Sequence, residues 1–227
     1  MKKTFLSIVI FLVSTTNIFS HVEHYSDFRY LEYELFRNNK LIGYHKYNFE
    51  RLKNELTVHS DVKFKISKLG VDLYNYEAKS EEKYKDSNFF QFSSNTNQNK
   101  KIKYVNIVYN KEKDNLTIDG SSFKGESPKD FIVGTWWNHE IVKAKAQISA
   151  ISGRIIQQKV EFLGKEKIEI NGITYNTLHF NFSSSDESLP ESKKLNTDIW
   201  YEEKSFLWVK AAFKKTGRWE YRIKEAK

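Results

Sequence analysis

Apolar and polar residues alternate along most of the chain. The clearest example is Leu56–Ile66, where an apolar or small side chain occupies every second position. A period of two predicts a β-strand with one buried and one solvent-facing side. The same pattern predicts strands over twelve further segments: Phe28–Phe36, Leu41–Leu52, Val71–Tyr84, Phe89–Thr96, Ile102–Asn110, Asn115–Asp119, Arg154–Leu163, Lys167–Ile170, Ile173–Phe182, Thr197–Tyr201, Phe206–Lys214 and Arg218–Ile223.

Short turn sequences separate these segments. The strongest turn signal is Asn171-Gly172, since a type I′ turn requires positive φ at both central residues. Closely spaced turns predict an antiparallel meander, and so many strands in one sheet would curl. We therefore predict an all-β fold, a single meander curled into a barrel, half-barrel or two-layer sheet. The other predicted turns lie at residues 38–40, 53–55, 97–99, 111–115, 164–165 and 215–217.

Helical periodicity is weak throughout. Three apolar residues share one helical face within Trp136–Ala150, which predicts one short helix near residues 137–148. The irregular segment Gly120–Gly134 precedes it, and we expect this segment to cross from one part of the sheet to another. A second long connection, Ser183–Leu195, is polar and is predicted to be an exposed loop.

The N-terminus has the three parts of a secretory signal peptide. The basic start Met1–Lys3 is followed by the apolar run Phe5–Val13 and a stretch of small or polar residues that ends at Ser20. Nine helical residues span about 14 Å, less than half of the roughly 30 Å hydrocarbon layer. The sequence therefore predicts a signal peptide at residues 1–20, a single β-rich domain at 21–227 and a periplasmic location.

Composition removes several classes of chemistry. The chain contains no cysteine, and its only methionine is Met1. This excludes disulfides, thiolate nucleophiles, Cys-ligated zinc and iron–sulfur clusters. The formal net charge is +8, and the basic residues are dispersed along the chain. We predict no cofactor, no nucleic-acid partner and no membrane-spanning segment after cleavage of the signal peptide.

The densest group of aromatic and polar residues is Thr135–His139. Two adjacent tryptophans on a strand point to opposite sides, so we expect Trp136 to be buried and Trp137 to face a pocket. The alternative is that both tryptophans plug one end of the sheet. Large aromatic side chains with a few polar groups are typical of small-molecule pockets. The candidate ligand-binding residues are Trp136, Trp137, Asn138, His139, Trp200 and Tyr201.

Two histidines near the predicted cleavage site form the only candidate metal site. Cleavage after Ser20 would make His21 the N-terminal residue, with an α-amine and an imidazole available to one metal ion. His24 would add a second imidazole, a set suited to Cu(II). The alternative is that this segment is a frayed polar tail.

Other acidic and histidine residues do not form a catalytic signature. The paired acids Glu81-Glu82, Asp186-Glu187 and Glu202-Glu203 are adjacent in sequence, whereas two catalytic carboxylates must face one cleft. Adjacent residues on a strand point to opposite faces, so these pairs do not indicate catalysis. His45 and His59 lie on neighbouring predicted strands and could approach each other across a hairpin.

Several short motifs together resemble exported proteobacterial all-β families of unknown function. These are Asn39–His45 with its G-x-x-I-G-x-H-like pattern, Trp136–Asn138, Asp198–Tyr201, and the later Val209 and Glu220-Tyr221. Asn39 replaces the glycine that is usual in the hairpin turn, and asparagine tolerates positive φ. The connection Ser183–Leu195 is longer than the corresponding connection in those families. The resemblance implies an all-β architecture similar in kind to the half-barrels of periplasmic lipoprotein carriers.

These observations predict a non-enzymatic periplasmic protein that binds a lipid-like apolar or amphipathic ligand, or an envelope partner. One alternative is an envelope enzyme of unknown chemistry that uses histidine or acidic residues. Another is an outer-membrane β-barrel, but several predicted strands have too few apolar residues for a lipid-facing band.

Overall fold

The alternating segments form fifteen strands in a computed structural model that describes residues 25–227. The predicted signal peptide, His21 and His24 lie outside the described residues. The strands of the first half are β1 Tyr30–Arg37, β2 Lys40–Leu52, β3 Glu55–Lys68, β4 Val71–Lys85, β5 Asn88–Gln98, β6 Lys101–Asn110, β7 Asn115–Gly120 and β8 Lys124–Pro128. Those of the second half are β9 Ile132–Val133, β10 Ala146–Ile148, β11 Ile155–Ile170, β12 Ile173–Ser184, β13 Asn196–Glu202, β14 Trp208–Lys214 and β15 Arg218–Ala226.

All fifteen strands belong to one open sheet. Its order is β8-β7-β6-β5-β4-β3-β2-β1-β15-β14-β13-β12-β11-β10-β9, so the first and last strands pair at its centre. Each neighbouring pair is antiparallel except β9 and β10, which are parallel. Two local meanders, β1–β8 and β9–β15, are therefore joined by the long-range pairing of β1 with β15.

The predicted strands are confirmed with a few differences in extent. Arg154–Leu163 and Lys167–Ile170 form one strand, β11, because the expected turn at Gly164 is instead a bulge, where the register with β12 shifts. Strands β8, β9 and β10 were not expected, since each has five residues or fewer and no alternation of apolar and polar residues. The type I′ turn at Asn171-Gly172 has the expected positive φ values of 53° and 78°.

The helix predicted near residues 137–148 is much shorter than expected. Within residues 137–148, only His139–Val142 is helical, as one turn of 3-10 helix whose N-cap is Asn138. The apolar residues that follow form β10, in which all three side chains are buried. A short strand covered on both faces has no alternation, so its apolar run resembles a helical face in sequence. Within residues 25–227, no helix has the length and apolar character needed to cross a membrane.

Residues 129–154, which we call the inner segment, pack against side chains of both meanders. The segment begins after edge strand β8, contributes the opposite edge strand β9, and continues through the 3-10 helix and β10. The predicted crossing within Gly120–Gly134 is confirmed, since residues 129–131 connect edge strand β8 to the opposite edge strand β9. The inner segment lies between two groups of buried apolar side chains, one centred on β1, β2 and β13–β15 and the other on β5–β7.

Buried tyrosine hydroxyls attach the inner segment to the sheet. Tyr47 on β2 donates to the carbonyl of Thr135 at 2.6 Å, and Tyr201 on β13 donates to the carbonyl of Trp136 at 2.9 Å. Both tyrosines are fully buried. Because a buried carbonyl without a partner is costly, these bonds satisfy the irregular backbone of the segment and fix its position.

We predict that Gly43→Ala lowers the free energy of unfolding by about 2 kcal/mol. Gly43 lies on β2 opposite Phe64, where an added Cβ would be 2.0 Å from the carbonyl oxygen of Lys63 and 2.6 Å from the Cα of Phe64. The two backbones would have to separate. Urea denaturation measures the loss, and Asn48→Ala, at an exposed position of the same strand, is the control. Equal stability of the two variants would contradict this prediction.

Candidate functional site

A cavity of about 540 Å³ lies between the two meanders and the inner segment. Strands β2 to β5 form one wall, β13 to β15 contribute to the opposite wall, and residues 134–136 and 147–156 line its inner side. Its size falls within the roughly 300–1,000 Å³ of small-molecule pockets.

Aromatic and hydroxyl side chains share the lining of this cavity. Trp136 and Tyr221 are packed edge to face at 5.6 Å, and Tyr76 and Phe213 add further aromatic surface. Hydroxyl groups line the wall formed by β3, β4 and β5, and these belong to Ser60, Ser80, Ser94 and Thr96. The cavity therefore offers both apolar contact and hydrogen-bonding groups, which suits an amphipathic molecule.

His45 is the histidine of the cavity lining. Its Nε2 lies 2.8 Å from the hydroxyl of Ser60, and its ring packs against Tyr47 at 4.2 Å between centroids. Burial lowers the pKa of His45 to about 3, so the imidazole is neutral near pH 7. Its Nδ1 forms no hydrogen bond with any described residue. His45 therefore contributes a neutral ring to the cavity lining, with its Nε2 engaged by Ser60 and its Nδ1 buried.

Charged residues line the cavity only where it opens, at the end that carries the β14–β15 turn. Arg154, Lys214 and Lys215 form no ion pair with a described residue, whereas Lys194 pairs with Glu191 at 2.6 Å. Partial burial lowers the pKa of Lys215, and repulsion from Arg154 lowers it further. The mouth therefore carries uncompensated positive charge.

Trp136 and Trp137 occupy opposite sides of the inner segment, but in the reverse of the expected arrangement. Trp137 is 1% exposed, whereas Trp136 is half-buried and lines the cavity. The reversal arises from a tight turn in which the Trp137 amide donates to the carbonyl of Thr135 at 2.8 Å and Trp136 has a φ of 61°. A turn of this kind is rare and strained for a large side chain, and it does not follow strand alternation.

Trp137 packs into a polar cluster around the buried carboxylate of Glu82. Glu82 is 2% exposed and accepts hydrogen bonds from Trp137 Nε1 at 3.0 Å, from Tyr84 Oη at 2.5 Å and from Thr135 Oγ1 at 3.2 Å. Burial raises the pKa of Glu82 despite these three donors. Glu82 and Tyr84 also line a second pocket of about 610 Å³, beside the β4–β5 turn.

The other predicted site residues lie outside the first cavity. Asn138 lines the second pocket and donates to Tyr84 Oη at 3.2 Å, and His139 is buried and stacks on Phe206 at 4.5 Å. Tyr201 is buried and holds the backbone of the inner segment. Trp200 points to the face of β13 opposite Tyr201, where it stacks on His179 at 4.2 Å. Of the six candidates, only Trp136 lines the first cavity, because sequence clustering does not determine on which side of a sheet a residue lies.

The structure also separates the acids and histidines considered above. Glu82 is buried while Glu81 lies on the outer face, as expected for adjacent strand residues. His45 lines the cavity, but His59 lies on the outer face with Glu50 and Glu81 at 3.5 and 3.7 Å. The two histidines are therefore not close neighbours. Among residues 25–227, no group of three or more His, Asp or Glu side chains is arranged to hold a metal ion.

Comparison with known proteins places the chain among all-β proteins of unknown function. The model of a family described as "Domain of unknown function (DUF6134)" matches residues 33–224. No curated protein matches the chain. These findings confirm the resemblance to an all-β family of unknown function.

A solved structure shares the fold. It is described as a beta-barrel-like protein of domain of unknown function DUF1849 from Brucella abortus. The match has a TM-score of 0.61 and 8% sequence identity, and it covers 87% of this chain and 95% of that chain. At this identity the similarity concerns the fold alone.

We predict that Trp137→Ala lowers the free energy of unfolding by about 3–5 kcal/mol. The substitution leaves a large void and removes one of the three donors to Glu82. Trp136→Ala should be less destabilising, because part of that side chain faces the cavity. Urea denaturation of both variants tests the order, and an equal or larger loss for Trp136→Ala would contradict it.

We also predict a pH-dependent effect of Glu82→Gln. Because the pKa of Glu82 is raised above 4.5 in the folded protein, the folded state binds this proton more tightly than the unfolded chain does. The contribution of Glu82 to the free energy of unfolding therefore falls as pH rises above 4.5. Relative to the wild type, Glu82→Gln should become more stable as the pH rises from 4.5 toward neutral pH.

Urea denaturation across this range measures the difference between the two proteins. Glu81→Gln changes a carboxyl group on the outer face of the same strand and serves as the control. A difference between Glu82→Gln and the wild type that does not change with pH would contradict the prediction.

Proposed function

Since the chain belongs to the DUF6134 family, we propose that this family member is a non-enzymatic binding protein of the periplasm that holds an amphipathic molecule in its cavity. The observation that carries the proposal is the 540 Å³ cavity, with an uncharged aromatic and hydroxyl interior and a positively charged mouth. The signal-peptide pattern of residues 1–20 supports export to the periplasm.

The interior of the cavity favours an alkyl or aromatic group over a charged one. Trp136, Tyr76 and Tyr221 provide broad apolar surfaces, His45 adds a neutral ring, and the serine hydroxyls provide hydrogen-bonding groups. A charged ligand group placed there would lose its hydration without an ionic partner, which is unfavourable. The inner part of the ligand is therefore apolar or weakly polar.

The mouth favours a negatively charged ligand group. Arg154 and Lys215 lie close enough for Arg154 to lower the pKa of Lys215. An anionic group between them would relieve this repulsion and add charge-assisted hydrogen bonds. A carboxylate or phosphate at the end of an apolar chain fits this distribution, with the chain inside and the anion at the mouth.

We predict that the protein binds the fluorescent apolar probe N-phenyl-1-naphthylamine and that dodecanoate displaces it better than dodecanol does. The two competitors share an alkyl chain and differ in the head group. Ala78→Leu, which fills the β4 wall of the cavity, should weaken binding of all three molecules by roughly tenfold. Lys79→Leu puts the same side chain at an exposed position of the same strand and should bind normally.

Arg154→Gln combined with Lys215→Gln tests separately whether the mouth binds the anionic group of the ligand. Dodecanoate binding should weaken by roughly fivefold while dodecanol binding stays unchanged. Lys53→Gln combined with Lys111→Gln removes two exposed charges far from the mouth and serves as the control. Failure of the wild type to bind any of the three molecules would overturn the proposed function. If Arg154→Gln combined with Lys215→Gln weakens dodecanoate and dodecanol binding equally, the mouth does not bind the anionic group.

A further inference from the structure

The β3–β4 hairpin extends beyond its pairing with the strands on both sides of it. Its pairing with β2 ends at Phe64, opposite Gly43, and its strand pairing with β5 ends at Tyr76. Residues 65–74, which we call the apolar finger, therefore pair only with each other. The finger continues for about five residues in each strand, roughly 16 Å, past the last strand pair with β5, while β2 on its other side continues to Lys40 without pairing with it.

The tip of the finger is apolar and fully in solvent. All seven residues from Ser67 to Leu73 are exposed, and the exposed fractions of Leu69, Val71 and Leu73 are 95%, 61% and 53%. A Cβ added to Gly70 would meet no atom within 4 Å. Three apolar side chains on a projecting tip are unfavourable in water, and such a surface normally has a binding partner.

Unpaired lysines surround the finger on the same end of the sheet. Lys40 lies at the β1–β2 turn and Lys100 and Lys101 lie at the β5–β6 turn, on either side of the finger with its own Lys68. None of these four lysines forms an ion pair with a described residue. The acid of the finger, Asp72, is already paired with Lys65 at 2.7 Å. The end of the sheet that carries the finger is therefore apolar at its tip and positively charged around it.

This combination fits an anionic lipid surface better than a protein partner. A stable protein interface buries about 800 Å² on each partner and needs a complementary surface, whereas three side chains on a narrow tip cover little area. An apolar tip can enter the boundary between head groups and acyl chains while lysines contact the anionic head groups. The unpaired backbone edges of the finger also admit pairing with a second copy of the chain, which the experiment below distinguishes.

We propose that the apolar finger docks this protein onto an anionic bilayer, with Leu69, Val71 and Leu73 in the lipid interface and Lys40, Lys68, Lys100 and Lys101 on the head groups. The cavity mouth lies on the same end of the sheet, since Lys214 and Lys215 adjoin the β14–β15 turn. Docking would therefore bring the mouth to the lipid surface. The proposal rests on the finger alone and does not depend on what the cavity binds.

Co-sedimentation with vesicles tests the proposal. The chain without residues 1–20 should bind vesicles of phosphatidylcholine and phosphatidylglycerol, and should bind phosphatidylcholine vesicles at least tenfold more weakly. High salt should weaken binding to the anionic vesicles. Leu69→Ser combined with Val71→Ser should reduce that binding by roughly tenfold, because the lost contacts are apolar. Leu52→Ser combined with Ile173→Ser changes two exposed apolar residues at the opposite end and should have no effect.

A charge-reversal pair tests the lysines. Lys68→Glu combined with Lys100→Glu should weaken binding by more than the roughly fivefold expected for losing one lysine. Lys53→Glu combined with Lys111→Glu, at turns on the opposite end, should bind as the wild type does. Circular dichroism checks that each variant is folded.

Two results would overturn the proposal. One is that the wild type does not bind anionic vesicles, or that the finger variants bind as tightly as it does. The other is that the wild type sediments as a dimer without lipid and becomes a monomer on Leu69→Ser with Val71→Ser, which would assign the finger to self-association. Neither result would affect the displacement of N-phenyl-1-naphthylamine from the cavity.

Discussion

A curved sheet of fifteen strands can bury its inner surface only if other residues fill the space it encloses. Here the inner segment does so, and its backbone is too irregular to satisfy its own hydrogen bonds. Tyr47 and Tyr201 supply the missing donors from opposite meanders, and Glu82 receives the indole of Trp137. These buried polar bonds fix the inner segment, and with it the position of the tryptophans and of the cavity wall that the segment forms.

The strands were predictable because their signal is local. Alternation of apolar and polar residues reflects one face that is more buried than the other, as along β1, β5 and β7. The signal fails where a strand is covered on both faces, as in β10, and where glycine permits a bulge, as at Gly164 in β11. In both places the long-range packing decides the structure.

The candidate site was much less predictable, because it is assembled from residues far apart in sequence. His45, Ser94, Arg154 and Lys215 line one cavity, yet no spacing or motif connects them. The cluster at residues 135–139 did identify the inner segment, but alternation assigned its two tryptophans the wrong sides, since the turn at Trp136 breaks the strand pattern. A buried acid such as Glu82 is also indistinguishable in sequence from its exposed neighbour Glu81.

The pairing of β1 with β15 has a consequence for when this protein can fold. Each meander is built from contacts between consecutive strands, but among the described residues the strand pairing between the two meanders involves only β1 and β15. When the chain leaves a ribosome or a translocation pore with its N-terminus first, β1 cannot pair with β15 until residues 218–226 have also emerged. The native sheet is therefore completed only once β15 is available, and until then one edge of β1 is unpaired and needs protection from other chains.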